Sequence, residues 1–200
     1  MRWCGSLPRD KFTAMPPCAT ACRSVIVPAV RRPPSRPGAH LDRVAELIHS
    51  LQLAPHPEGG YYREIWRGGL GVAPGDGRGV RAALTAIYFL LPAGVVSRWH
   101  RVRSDEVWHF YEGAPLELLM VPPDRFRLDR CRLGPLGPDQ EPVRPVPAAW
   151  WQAARSLGPY TLVGCSVGPG FEFADFELLR DRDDIADELC RSLPEAVPFM

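Results

Sequence analysis

The run from Gly94 to Gly113, GVVSRWHRVRSDEVWHFYEG, constrains this chain more than any other stretch. Glycine at each end permits a tight turn, and the residues between read as two short strands. His100 and Glu106 then stand on neighbouring strands, where their side chains can meet inside a small barrel as metal ligands or as an acid/base pair. Residues two apart on a strand share a face. Arg98, His100 and Val102 therefore point one way and Trp99 and Arg101 the other. With Glu106 inward, Trp108 and Phe110 are inward too, while Val107, His109 and Tyr111 face out. The expected interior is a polar cluster beside an aromatic wall, which suits a small-molecule site. The competing arrangement is a buried Arg98–Glu106 ion pair that leaves His100 a structural residue. His109 is assigned to the outer sheet face or a subunit interface.

The flanking sequence continues in short strands. Tyr61 to Trp66 is aromatic and β-branched, with Tyr62, Glu64 and Trp66 on one face. It follows a turn, His56-Pro57-Glu58-Gly59-Gly60. Leu84 to Leu91 is almost wholly apolar, as expected of a strand covered on both sides. Leu116 to Val121, Phe126 to Leu133, Tyr160 to Val167 and Phe171 to Leu179 complete the set. Apolar residues at three- and four-residue spacing make Leu41 to Leu51 an amphipathic helix, and Asp183 to Leu193 an acid-started one. Many short strands with helices only at the ends predict an all-β barrel or sandwich. The glycine-rich stretch Gly68 to Gly79 lacks the Gly-Lys-Ser/Thr ending and the following helix of a phosphate loop, and reads as a hairpin loop.

At 200 residues and 46% hydrophobic content, the chain suits one domain, taken as residues 40–193, with an N-terminal extension and a C-terminal tail at 194–200. A net charge of +1 gives no general pull toward nucleic acid or acidic membranes. The longest apolar run is broken by Pro92 and Gly94, so no membrane span is expected. The six cysteines form no Cys-x-x-Cys pair and read as reduced thiols in an intracellular, cytoplasmic protein. Residues 1–39 are basic, acid-poor and proline-rich. They fit a disordered extension, with Met15 as an alternative start, or a transit peptide for organellar import.

Gly94, His100, Glu106 and Gly113 match in spacing the first motif of the cupin superfamily, Gly-x5-His-x-His-x3-Glu-x6-Gly. Val102 stands in place of the second histidine. At the second motif, Pro-x-Gly-x-x-His, the chain has Pro147, Ala149 and Gln152. The segments HPEGGYYRE, TAIYFLLP, SRWHRVRSDEVWHFYEG, VPAAWWQAARSLGPYTLVGC and PGFEFADFELL, in this order, resemble the Cupin_5 (DUF985) family from about Leu41 to Asp181. The resemblance implies a double-stranded β-helix (jelly-roll) barrel with a short helix before and after. It also implies similarity to sugar-nucleotide epimerases and a homodimer, which the aromatic outward set Trp99, His109 and Tyr111 supports. Metal-dependent cupins use three histidines and a glutamate. Here those positions hold His100, Val102, Glu106 and Gln152, so no metal or other cofactor is expected unless Glu64 or Tyr62 substitutes.

Three functions follow from this pocket. The first is a metal-independent isomerase or epimerase acting on a carbohydrate- or nucleotide-linked molecule. His100 is its base, Glu106 orients or stabilises His100, Arg98 holds an anionic or carbonyl oxygen, and Tyr62 or Tyr88 returns the proton. The second is a non-catalytic binding module in which Trp108, Phe110 and Trp151 stack on a planar ligand, with Gln152 and Glu64 among the contacts. The third is a metal-dependent enzyme.

Overall fold

The computed structural model describes residues 39–124 and 127–200. The basic leader and its import role, Cys4, Cys18 and Cys22, and the start of the expected Phe126 strand lie outside these residues.

The chain opens with α1 (Ala39–Ser50), β1 (Ala54–Pro55), β2 (Tyr61–Arg67) and the paired short strands β3 (Gly71–Val72) and β4 (Arg81–Ala82). Then come β5 (Thr85–Pro92), β6 (Val96–Val102), β7 (Asp105–Gly113), β8 (Leu116–Val121) and β9 (Asp129–Leu133). β10 (Val143–Val146), β11 (Trp151–Ser156), β12 (Tyr160–Gly168), β13 (Phe176–Leu178) and α2 (Asp183–Ser192) complete it. One antiparallel sheet has six strands in the order β1-β2-β5-β12-β7-β10, and the other has five in the order β13-β6-β11-β8-β9. The fold is the expected all-β jelly roll with a short helix at each end. Among the described residues no helix is long and apolar enough to cross a membrane.

Period two explains the layering. Leu116, Leu118 and Met120 of β8 enter the core between the sheets with Phe89, Trp108 and Val163. Leu119 and Val121 point the other way, into a second cluster with Trp99, Trp151 and Leu189 of α2. This is why LELLMV carries no exposed position. On the opposite flank, Leu47 of α1 covers Leu90 and Leu162. Arg43 fixes that helix through two 2.7 Å hydrogen bonds to Glu112, which also accepts from Tyr160 at 2.7 Å.

Three expectations change. Phe171 to Leu179 is not one strand: a 3-10 turn, Phe173–Asp175, precedes a short β13, because the acid at 175 turns inward to arginines. β10 went unread because Pro145 lies in it; it survives as an edge strand, where a missing N–H costs no ladder bond. The segment read as a tail is packed: Phe199 is buried, and the Ala196 carbonyl accepts from Trp99 Nε1 at 2.9 Å. Trp99 is thus covered by its own chain and leaves the set available to a partner.

Candidate functional site

A cavity of about 130 Å³ opens between the two sheets. His100 and Val102 of β6 form one wall, and Glu106 and Trp108 of β7 another. Phe89 comes from β5, Tyr62 and Glu64 from β2, and Phe171, Phe173 and Phe176 from the segment before and into β13. The parity of β7 and of the His100–Val102 end of β6 holds as read from sequence.

Two residues that sequence reasoning did not single out complete the polar floor: His56 and Glu58, both lining the cavity. They belong to the turn before β2. Gly59 allows this turn to lie on β6, with φ +114° and no room for a Cβ against the Val96 carbonyl oxygen. The Glu58 carbonyl accepts the Arg98 N–H at 2.8 Å, and Ser97 Oγ donates to Glu58 Oε1 at 2.9 Å. Glu58 Oε2 stands 3.4 Å from His100 Nε2 and 3.3 Å from His56 Nδ1. His100 Nδ1 lies 2.8 Å from the Arg98 carbonyl, which can only accept, so this nitrogen carries its hydrogen and Nε2 is the one left to exchange protons. A polar turn of His and Glu closed by two glycines was the available signal. Turn residues, however, have no periodic face by which to predict where they point.

The two carboxylates are pushed apart. Burial raises Glu58, but the charge of His100 with contacts from His56 and Ser97 outweighs it and holds Glu58 below the ordinary glutamate value. Burial raises Glu106 above that value and the charge of Glu58 adds to it, against His100 and the hydrogen bonds from Gln152 and Cys165. Burial, then the charges of Glu106 and Glu58, keep Cys165 a thiol. The cavity therefore pairs an ionised Glu58 with a Glu106 that holds its proton more tightly, on either side of an imidazole. Such opposed environments mark acid and base roles.

Of the other expected site residues, Gln152 stands behind Glu106 and Trp108. Its Nε2 donates to Glu106 Oε2 at 2.6 Å and its Oε1 accepts from Trp108 Nε1 at 3.0 Å. Gln152 does not itself line the cavity, and four others do not either. Arg98 lies over the turn, its Nη1 3.3 Å from the Glu58 carbonyl, so neither an anion-holding role nor an Arg98–Glu106 pair is built. Trp151 must face away because its neighbour Gln152 faces in; it packs beneath the Arg101 guanidinium in the outer cluster. Tyr88 alternates with the inward Ile87 and Phe89 and packs beside α1. Phe110 packs against the core between the sheets, away from the cavity.

A cupin-type metal centre does not fit these residues. Val102 offers no donor, and both heteroatoms of Gln152 are committed to Glu106 and Trp108. Among the described residues no group of three or more His, Cys, Asp or Glu is arranged to hold a metal ion.

The family model described as Cupin superfamily (DUF985) matches residues 45–179. The chain is 32% identical to protein SO0799 from Shewanella oneidensis, over 77% of this chain and 94% of that one, with a TM-score of 0.67. It is 30% identical to a hypothetical protein from Leishmania major, over 78% and 95%, with a TM-score of 0.65. No curated protein is significantly similar to it.

Proposed function

The chain belongs to the DUF985 family of the cupin superfamily, and from that premise we propose that it is a metal-independent enzyme that moves a proton on a small polar molecule. The reaction is an isomerisation or epimerisation of a carbohydrate-like ligand held in the barrel. The observation that carries this reading is the buried constellation of Glu58, His100 and Glu106, with the two carboxylates shifted in opposite directions. His100 takes a proton through Nε2. Glu58 stabilises the imidazolium that forms, a task the sequence assigned to Glu106. Glu106, holding its proton more tightly, donates to a ligand oxygen as negative charge develops there. Tyr62 and Trp108 supply apolar contact, and Glu64 stands in the cavity lining.

The test is solvent deuterium uptake. Wild-type protein incubated in deuterium oxide with a panel of aldoses and ketoses should exchange the C–H next to a carbonyl. His100→Asn should lose about 10²–10⁴-fold of that rate. Binding without exchange in the wild type would favour the second reading, a non-catalytic module, for which the aromatic lining of the cavity speaks.

The assembly we propose is a homodimer. With Trp99 covered internally, its basis narrows to the outer face of β7 and edge strand β10, where Tyr111 is 50% exposed and Val143, opposite His109, is 43% exposed. A monomer in sedimentation at micromolar concentration would exclude it. The free thiols Cys131, Cys165 and Cys190 suit an intracellular setting.

A further inference from the structure

His56 is the buried titratable group that the proposed reaction leaves unused. Its Nδ1 is 3.3 Å from two groups of one residue with opposite demands: the Glu58 backbone N–H, which donates, and the Glu58 carboxylate Oε2, which accepts. One ring nitrogen cannot serve both at once. With its hydrogen on Nε2, neutral His56 accepts the N–H through Nδ1. With its hydrogen on Nδ1, it donates to the carboxylate and Nε2 carries the lone pair. Nε2 has no protein partner among the described residues, yet it is not one of the buried atoms sealed from solvent. His100 differs, because the Arg98 carbonyl fixes its hydrogen on Nδ1.

We propose that His56 is a second proton-carrying residue of this cavity, and that Glu58, standing between the two imidazoles, sets by its choice of contact whether His56 Nε2 offers a ligand a proton or a lone pair. This rests on the reading of the cavity as a proton-transfer site. The ring is held edge-on by Tyr62 of β2 at a centroid distance of 4.5 Å, and Phe173 stacks on it at 6.0 Å. The other titratable groups of the cavity are Glu106 of β7, Cys165 of β12, and Glu64, Arg67 and Glu172. Arg67 is already paired with both Glu64 and Glu172. Glu58 is thus the carboxylate in contact with both rings. A proton gained at one ring makes the other harder to protonate, and their titrations are coupled.

The experiment is a titration of the ring nitrogens of uniformly ¹⁵N-labelled protein by long-range proton–nitrogen correlation, in the absence of any ligand. His56 should show neutral-form nitrogen shifts averaged between the two tautomers. His100→Asn should raise its midpoint by removing a neighbouring cation, and His56→Asn should raise that of His100. Glu58→Gln should lower both by about one pH unit, a tenfold loss of proton affinity. His56 fixed in one tautomer, or midpoints indifferent to the removal of the other ring, would overturn the proposal. Should Glu58→Gln not fold, the two Asn variants decide alone. Coupled titration without deuterium uptake would leave the two-histidine device standing and remove the enzymatic reading.

Discussion

Gln152 donates to Glu106 through a buried 2.6 Å hydrogen bond across the barrel, between positions 46 residues apart. An amide is a weaker partner for a buried carboxylate than a cation would be, and this is one reason burial prevails and Glu106 binds its proton above the ordinary value. A carboxyl raised by folding is stabilising while protonated, and that stability drains away as the pH rises from the unfolded value toward the folded one.

Glu106→Gln should therefore equal the wild type near about pH 4 and become the more stable of the two as the pH rises, since the amide oxygen still accepts from Gln152. Glu58→Gln should do the reverse. The Glu58 value is depressed, so its contribution is present at neutral pH and is lost on acidification through the folded value. The variant should be less stable than wild type at about pH 7 and converge with it as the pH falls through the depressed folded value. Urea denaturation across that range checks both. Parallel pH profiles for the two variants would show that the carboxylates do not occupy opposed environments.

The parts of the site that lie on regular strands were legible because alternation carries direction. His100, Glu106 and Trp108 point inward as their neighbours Trp99 and Val107 require, and Gln152 inward compels Trp151 outward, a conflict that parity alone could have exposed. Tyr88 fails by the same rule against Phe89. Arg98 fails differently: a bulge in β6, where Ser97 and His100 face Ala154 and Gln152 of β11, breaks the alternation, and its guanidinium reaches the Glu58 carbonyl instead of the cavity. His56 and Glu58 were read only as turn residues. Their placement depends on Gly59 packing against β6, a contact between distant segments that no local pattern encodes.

Ala149 is where the second cupin motif carries glycine, and its φ of 65° lies in the left-handed region. Its N–H donates to the Val102 carbonyl at 2.8 Å, so the turn before β11 holds it there. A left-handed alanine costs about 1–2 kcal/mol, of which glycine returns about 0.5–1 through the freedom it adds to the unfolded chain. Ala149→Gly should stabilise the protein by about 0.5–1 kcal/mol, and Ala149→Val should destabilise it. Thermal and urea denaturation of both variants provide the measurement. A glycine variant less stable than wild type would show the turn to be unstrained.

Asp175 joins the glycine-rich hairpin to the cavity wall. Its carboxylate receives Arg81 Nε at 2.7 Å and Nη2 at 3.0 Å, with Arg78 Nη1 at 3.3 Å. The Arg81 hydrogen bonds outweigh burial and, with the charges of both arginines, hold it below the ordinary aspartate value. The Asp175 side chain is 1% exposed and that of Arg78 5%. Removing the carboxylate strips Arg81 of its hydrogen-bonded partner and leaves the buried Arg78 with only the partly exposed Asp76, and Asp175→Ala should cost up to about 3–5 kcal/mol. The depressed value also means that the wild-type contribution is intact at neutral pH and fades only as the pH falls below about 3.8. Since Asp175 lies between Phe173 and Phe176, which both line the cavity, the loss should extend to the site. Faster amide hydrogen exchange in residues 171–178 is the expected signature, alongside a lowered melting temperature. Arg81→Met tests the converse: with Arg78 still paired, the loss should be smaller. An Asp175→Ala protein with unchanged exchange in that segment would mean that the hairpin does not hold the wall.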